Sequence, residues 1–133
     1  MYSGAEMIKI RTTKKQEIID ITGMVRDAID IKDGICIVFC PHTTAGVFIN
    51  ENYDPSVKED IIRTLEKLVP SDGEYTHTEG NADAHIKATI LGSSVTLIVE
   101  NGEPVLGTWQ GVFFAEFDGP REREVVVKCL KSV

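Results

Sequence analysis

The sequence has no long apolar run, which excludes a membrane-spanning helix because a span needs about 20 consecutive apolar residues. The first residues show no basic segment followed by an apolar stretch and a cleavage site, so we expect no signal peptide. Positive charge is also scarce: 14 basic residues stand against 21 acidic ones, giving a formal net charge of −7. Proteins that bind nucleic acid through its phosphates usually carry a basic surface, so we expect neither a nucleic-acid nor a membrane partner.

Cysteine is rare, with three residues in the chain: Cys36, Cys40 and Cys129. An odd number without a secreted context predicts reduced thiols in a cytoplasmic protein. Cys36 and Cys40 fall in an apolar run, GICIVFC, where buried small side chains are expected.

Familiar catalytic and cofactor motifs are absent. The chain contains no glycine-rich phosphate-binding loop, no HExxH and no GxSxG sequence. Catalysis by a nucleophilic serine or cysteine therefore has no support, and no organic cofactor is implied.

The remaining composition is that of a globular protein, and 133 residues suit a single domain. Runs rich in β-branched residues predict seven strands, at 7–12, 17–21, 35–40, 44–50, 95–100, 108–117 and 122–130. The almost wholly apolar run at 35–40 predicts a central strand buried on both faces. We expect the last strands to form an antiparallel meander. The fold class predicted is therefore α+β: one domain with a mainly antiparallel or mixed sheet and two to three helices.

Helix signals occur in three places. Thr22 is a candidate N-cap for a short helix over 23–29. The pair Asp54-Pro55 is typical of a helix start, and Pro70 ends that helix. The segment 81–91 is ambiguous, since it alternates like a strand but carries the end signals of a helix; we favour helix.

Three histidines, His42, His77 and His85, lie among polar or small residues rather than in apolar stripes. Three imidazoles with one open position would be the ligand set of a catalytic zinc site. General acid–base catalysis is another use, and three histidines that never meet is the simplest alternative.

Acidic residues accompany these histidines. Glu51 follows a predicted strand, Asp60 lies early in the main helix, and Asp83 lies near His85. Such carboxylates can orient imidazoles, act as bases or bind Mg²⁺. A solvated acidic surface and helix caps are the alternative.

Two further groups could bind a ligand. Arg121 and Arg123 alternate at the start of a predicted strand, where both guanidinium groups could grip one phosphate, or could simply protect an edge strand. Trp109 and Gln110 offer a flat face and an amide to a planar ligand. For Trp109 we favour a buried core position.

Three segments resemble the YjbQ-like family, often labelled secondary thiamine-phosphate synthase. They are HTTAGVFINENYDPSVKEDI at 42–61, HTEGNADAHIKATILGSS at 77–94 and LGTWQGVFFAEFDGPRER at 106–123. The resemblance implies a small α+β protein that forms a homotrimer, with a pocket near the subunit interface that contains the motif histidines and accepts metal ions or phosphate-like anions. The residues matching the family's motifs are His42, His77, His85, Glu51, Asp60, Asp83, Trp109, Gln110, Arg121 and Arg123.

The resemblance implies joining of hydroxymethylpyrimidine pyrophosphate to thiazole phosphate, with release of pyrophosphate. In that reading Glu51 and Asp83 join the histidines as catalytic residues. Asp60, Trp109, Gln110 and the two arginines bind the substrate or its anionic groups, and Zn²⁺ or Mg²⁺ is the divalent metal. Two alternatives stay open: a zinc-dependent hydrolase with the three histidines as ligands, and a non-enzymatic trimer that binds a small phosphorylated metabolite.

Overall fold

The computed structural model describes residues 5–133. In chain order its elements are β1 (Glu6–Arg11), β2 (Glu17–Asp20), α1 (Thr22–Ala28), β3 (Gly34–Phe39), β4 (Ala45–Glu51), α2 (Pro55–Leu68), α3 (Ala82–Leu91), β5 (Ser94–Glu100), β6 (Glu103–Pro104), β7 (Gln110–Glu116) and β8 (Glu122–Lys131). The α+β class is confirmed, with three helices and antiparallel strand pairing.

The strands form two sheets. Sheet A has the order β1-β8-β3-β5-β6, and sheet B has the order β2-β7-β4. Buried aliphatic and aromatic side chains from both sheets pack together with Val25 of α1 in one large cluster. A smaller cluster, which includes Phe113 and Leu65, joins sheet B to α2 and α3. The hydrophobic effect of burying this shared core holds the two sheets together.

Local sequence signals explain the two longer helices. The Asp54 carboxylate accepts a hydrogen bond from the Ser56 amide at 2.9 Å, and Pro55 opens α2. Helix α3 ends at Gly92, whose φ of 94° favours glycine. The helix prediction for 81–91 is confirmed, and the polar stretch before it is an irregular loop.

Several predictions about the strands were wrong. The end of the chain is not a meander, because β7 belongs to sheet B and β8 to sheet A. Strand β3 is central, but Ile35 and Phe39 on its outer face are partly exposed. The short hairpin strand β6 was not predicted. The cap of α1 also differs, since the Asp20 carboxylate accepts from the Thr22 amide and hydroxyl.

The cysteines also differ from expectation. Cys36 and Cys129 lie directly opposite each other on β3 and β8 and form a disulfide. Cys40 is the buried free thiol of the described chain, and burial raises its pKa. The predicted three reduced thiols were therefore wrong for one pair, because the sequence does not show that the two strands are neighbours in register.

Within residues 5–133, no helix is long and apolar enough to cross a membrane.

Candidate functional site

The histidine-bearing segments meet where β3 ends and β4 begins. A cavity of about 390 Å³ opens there, which we call the His42 cavity. Its lining is predominantly polar and consists of Pro41, His42, Thr43, Thr44, Glu79, Asn81, His85, Asp118, Arg121 and Arg123. It combines residues from all three motif segments, although these are far apart in the sequence.

The side chain of His42 contacts the backbone of β8 just beyond the point where β3 stops pairing with it. Beyond Phe39 the chain departs from β8, and Nε2 of His42 lies 3.0 Å from the amide nitrogen and 3.1 Å from the carbonyl oxygen of Glu124. Nε2 either accepts from that amide or donates to that carbonyl, depending on the tautomer. Burial, and then the nearby charge of Arg123, lower the pKa of His42, so its ring is neutral at neutral pH.

Arg123 is held by a buried network behind the cavity. Its guanidinium group donates to both carboxylate oxygens of Glu116 and, at 2.8 Å, to the Thr44 hydroxyl. Only 4% of the Arg123 side chain and none of the Glu116 side chain is exposed. Burial alone would raise the pKa of Glu116, but the hydrogen bonds from Arg123, the Asp118 amide and Thr12 outweigh it and lower that pKa. The charge of Arg123 is thus balanced within the protein.

Arg121 also lines the cavity, but its side chain has fewer hydrogen-bond partners than that of Arg123. Its Nε donates to the Asp118 carbonyl at 2.8 Å, and its Nη2 lies 3.1 Å from Oδ2 of Asp118. Half of the Arg121 side chain is exposed. We expected both arginines to bind one phosphate. The geometry allows this for Arg121, whose guanidinium group is accessible, and not for Arg123, whose guanidinium group is buried.

The other two histidines touch each other. The rings of His77 and His85 pack edge to face with centroids 5.0 Å apart, and Nε2 of His77 lies 3.7 Å from the Glu79 carboxylate. His85, on α3, lines the His42 cavity and a second opening shared with His42. His77 is exposed on the loop before α3 and does not line the cavity.

These positions do not fit the predicted zinc ligand set. No group of three or more His, Cys, Asp or Glu side chains between residues 5 and 133 stands where it could hold a metal ion. His42 directs Nε2 at the β8 backbone, whereas His77 and His85 face each other. The chain alone therefore offers no preformed site for Zn²⁺ or Mg²⁺ in its described part.

Asp83 does not reach the cavity that its neighbour His85 lines. Its side chain is 1% exposed and accepts from the Lys87 ammonium group at 2.8 Å and from Ser71 at 3.3 Å. Burial and this ion pair give Asp83 a structural place between α2 and α3. A role as general base in the cavity does not agree with this geometry.

Glu51, Trp109 and Gln110 lie at the opposite end of sheet B. Glu51 ends β4 and pairs with Gln110 at the start of β7. Seven residues of β4 separate this end from the His42 cavity, roughly 20 Å at about 3.3 Å per residue. These three residues therefore cannot join the histidines at one small ligand within one chain.

The buried position favoured for Trp109 was wrong. Its side chain is 54% exposed and packs edge to face against Tyr53, with centroids 5.0 Å apart. Gln110 lines a polar cavity of about 640 Å³ beside it, together with Asp20, Thr22, Asn52 and others. We call this the far-end cavity.

Asp60 lies on the exposed side of α2 and forms an ion pair with Arg63. It lines neither of the two cavities. The solvated helix surface that was its alternative interpretation agrees with this place.

Sequence reasoning missed three residues of the His42 cavity and its support: Asn81, Glu116 and Asp118. Oδ2 of Asp118 accepts from Nδ2 of Asn81 at 2.9 Å as well as from Arg121. In the sequence, Asp118 lies three residues before Arg121 in the Asp-Gly-Pro-Arg turn, and this spacing could have indicated the ion pair. Nothing in the sequence indicated Glu116, because a glutamate at the end of a strand is expected to be exposed.

The fold and the cavity define an α+β domain with two antiparallel sheets and a polar site between three sequence segments. The family model described as UPF0047 protein YjbQ-like matches residues 6–132, and the chain belongs to this family. A UPF0047 protein of Methanocaldococcus jannaschii is 55% identical over 125 residues, covering 92% of this chain and 91% of that protein. The UPF0047 protein YugU of Bacillus subtilis is 47% identical over 127 residues, covering 92% and 96%.

Solved structures agree with this assignment. A YjbQ/UPF0047 family protein from Clostridium acetobutylicum superposes with a TM-score of 0.92 at 52% identity and covers 94% of this chain and 99% of its own. A protein of Sulfolobus solfataricus described as YbjQ-like has a TM-score of 0.92 at 35% identity and covers 96% of each chain. None of these names states a reaction, so the reaction is argued from the site.

Proposed function

We propose that the His42 cavity binds a small phosphorylated molecule and that the protein is a transferase of the thiamine-phosphate synthase type. The observation that carries the proposal is the convergence of His42, His85 and Arg121 on one polar cavity. Arginine recognises phosphate oxygens in a fork geometry, and neutral imidazole supplies a donor or an acceptor beside it.

The reaction would join hydroxymethylpyrimidine pyrophosphate to thiazole phosphate. The carbon–oxygen bond to pyrophosphate breaks, the thiazole nitrogen bonds to the same carbon, and pyrophosphate leaves. Negative charge builds on the departing oxygen, where a fixed cation and hydrogen-bond donors are most useful. Arg121 would bind phosphate oxygens, and His85 would donate a hydrogen bond to the leaving group.

His42 and Arg123 have supporting parts in this proposal. His42 holds the cavity wall to β8 through Nε2, and its Nδ1 has no hydrogen-bond partner within the described residues. Arg123 donates its hydrogen bonds to Glu116 and Thr44 and so shapes the cavity wall. After burial, its charge is the second cause that lowers the pKa of His42. No step is assigned to a metal ion, because the described residues offer no preformed ligand cluster.

We further propose that the chain forms a homotrimer through the outer face of sheet A. The support is a row of apolar side chains across the neighbouring strands β8, β3 and β5 and the residue that follows β6: Leu130, Ile35, Ile98 and Val105, each 37–56% exposed. Such an uncovered face is typical of an interface. Sedimentation of the wild type should give three chains of 14.7 kDa, and Ile98→Lys should give a smaller species. Ile90→Lys, at an exposed isoleucine on α3, is the matched control and should still sediment as three chains.

The test of the activity uses the purified full chain, both phosphorylated substrates and added Mg²⁺, with thiamine phosphate and pyrophosphate measured together. Arg121→Gln should lower turnover at least about tenfold, the cost of roughly one charge-assisted hydrogen bond. Arg63→Gln removes an exposed arginine on α2 that does not line the cavity, and it should leave the rate unchanged.

The alternatives predict different results. Binding of phosphate that depends on Arg121, without any turnover, would support the non-enzymatic binding protein. Absence of both binding and turnover would contradict the assignment of the cavity. A rate that is equal in wild type and Arg121→Gln would contradict the role given to Arg121.

A further inference from the structure

Charges of opposite sign line the His42 cavity in equal number. Arg121 and Arg123 contribute positive charge, while Asp118 and Glu79 contribute negative charge. Arg123 is also matched by Glu116 behind the wall. An anion that enters meets a cavity whose one accessible guanidinium group, that of Arg121, is already paired.

Asp118 is the partner that occupies Arg121. Two donors of Arg121 reach this one residue, Nε at its carbonyl oxygen and Nη2 at its carboxylate. The same carboxylate oxygen accepts from Asn81, the residue just before α3, and the amide of Asp118 donates to Glu116 at 3.0 Å. Asp118 is thus fixed by two groups besides Arg121, whereas Arg121 depends on Asp118 alone among the described residues for its side-chain hydrogen bonds.

We propose that Asp118 sets the affinity of the His42 cavity for phosphate by holding Arg121 in an internal ion pair that a bound phosphate must replace. The inference rests on the proposed anion-binding function of the cavity. A carboxylate and a phosphate oxygen are alternative acceptors for the same Nη2, and they repel each other when both are close. The apparent affinity for phosphate is the intrinsic affinity multiplied by the fraction of molecules in which the pair is open.

The Arg121 side chain is 50% exposed and that of Asp118 is 21% exposed, and an ion pair in contact with solvent is weak, so the pair can open at modest cost. Asp118 therefore makes the cavity selective. A phosphate with two negative charges displaces the Asp118 carboxylate from Arg121 more readily than a singly charged carboxylate ligand would. The class of ligand favoured is a phosphate or pyrophosphate ester.

The test compares inorganic phosphate and acetate binding to the full-length wild type and to Asp118→Asn, by calorimetry in EDTA at pH 7.5. Asparagine retains an oxygen that accepts from Asn81, so the cavity wall keeps its hydrogen bond. Removing the competing charge should tighten phosphate binding about five- to tenfold. The ratio of phosphate affinity to acetate affinity should also be smaller in Asp118→Asn than in the wild type.

A matched variant controls for net charge. Glu122→Gln removes an acid that pairs with Arg11 at 2.7 Å outside the cavity, with 78% of its side chain exposed, and it should leave phosphate affinity unchanged. As a second measurement, the Arg121 Nε–H resonance should shift on addition of phosphate to the wild type.

The outcomes separate this inference from the function on which it rests. Phosphate binding by both proteins, with equal or weaker affinity in Asp118→Asn, overturns the role of Asp118 and leaves the anion site standing. Binding by neither protein overturns the anion site and the role of Asp118 together.

Discussion

The ammonium nitrogen of Lys87 lies 2.8 Å from a carboxylate oxygen of Asp83, one helical turn earlier, and neither side chain is more than 1% exposed. The same nitrogen lies 2.7 Å from Glu66 on α2. Two helices are thereby joined by a buried cation between two carboxylates. This pairing places the opposite face of α3, which carries His85, toward the His42 cavity.

Replacing Lys87 with methionine should destabilise the protein by about 3–5 kcal/mol, because the buried carboxylate of Asp83 would lose the one cation that balances its charge among the described residues and would keep only the hydrogen bond from Ser71. Urea unfolding measures this loss. Lys67→Met, at an exposed lysine on α2, is the control and should change the free energy of unfolding by less than about 0.5 kcal/mol. A loss below about 1 kcal/mol for Lys87→Met would contradict the structural role of the pair.

The same cluster predicts a pH dependence of stability. Burial alone would raise the pKa of Glu66, but hydrogen bonds from Lys87, Ser71 and Gln16 outweigh it and lower the pKa from 4.5 to about 2. A carboxylate whose folded pKa is lowered stabilises the protein above its unfolded pKa, and this contribution is lost as the pH falls from about 4.5 toward 2.

Urea unfolding at several pH values in that window should therefore show stability falling with acid. In Glu66→Gln the fall should be shallower. Equal slopes for the two proteins would show that Glu66 does not carry the effect.

The His42 ring should titrate below 6.5, first because of its burial and second because of Arg123. The double variant Arg123→Gln with Glu116→Gln removes a buried charge pair without leaving either charge alone. Since Arg123 has the larger effect of the two, the pKa of His42 should rise. Nitrogen-detected NMR titration measures it, and Arg11→Gln, at an exposed arginine, should leave it unchanged. A wild-type value at or above 6.5 would speak against this account of His42.

Thiol titration tests the disulfide. Protein denatured without reductant should show one reactive thiol, that of Cys40, and three after reduction. Cys129→Ser opens a cross-link between residues 93 positions apart, which the chain-entropy model values at about 4–5 kcal/mol. Cys40→Ala keeps the cross-link and is the comparison. Three thiols before reduction would show that the pair is reduced.

The helices α2 and α3 could be predicted from the sequence because their start and end signals are local. Asp54, Pro55 and Gly92 act on the backbone within a few residues of themselves. The strands could be located for the same reason, since alternation is a property of one segment.

The assignment of strands to sheets could not be predicted, because pairing depends on residues far apart in the chain. This is why the Cys36–Cys129 bridge was missed and why Glu51 and Trp109 were grouped with the histidines. Asp83 shows a further limit. Its polar neighbours suggested a place in the pocket, but helical geometry turns it toward Lys87, four residues later, and away from the cavity that His85 lines.

The strands β4 and β7 pair along their length and carry a polar cavity at each end, and no described residue lines both cavities. One end holds the His42 cavity, and the other holds Trp109 and the far-end cavity. Free-energy effects of substitutions at sites this distant usually add. Substitutions near Arg121 and near Trp109 can therefore accumulate independently during evolution, because neither changes the free-energy cost of the other.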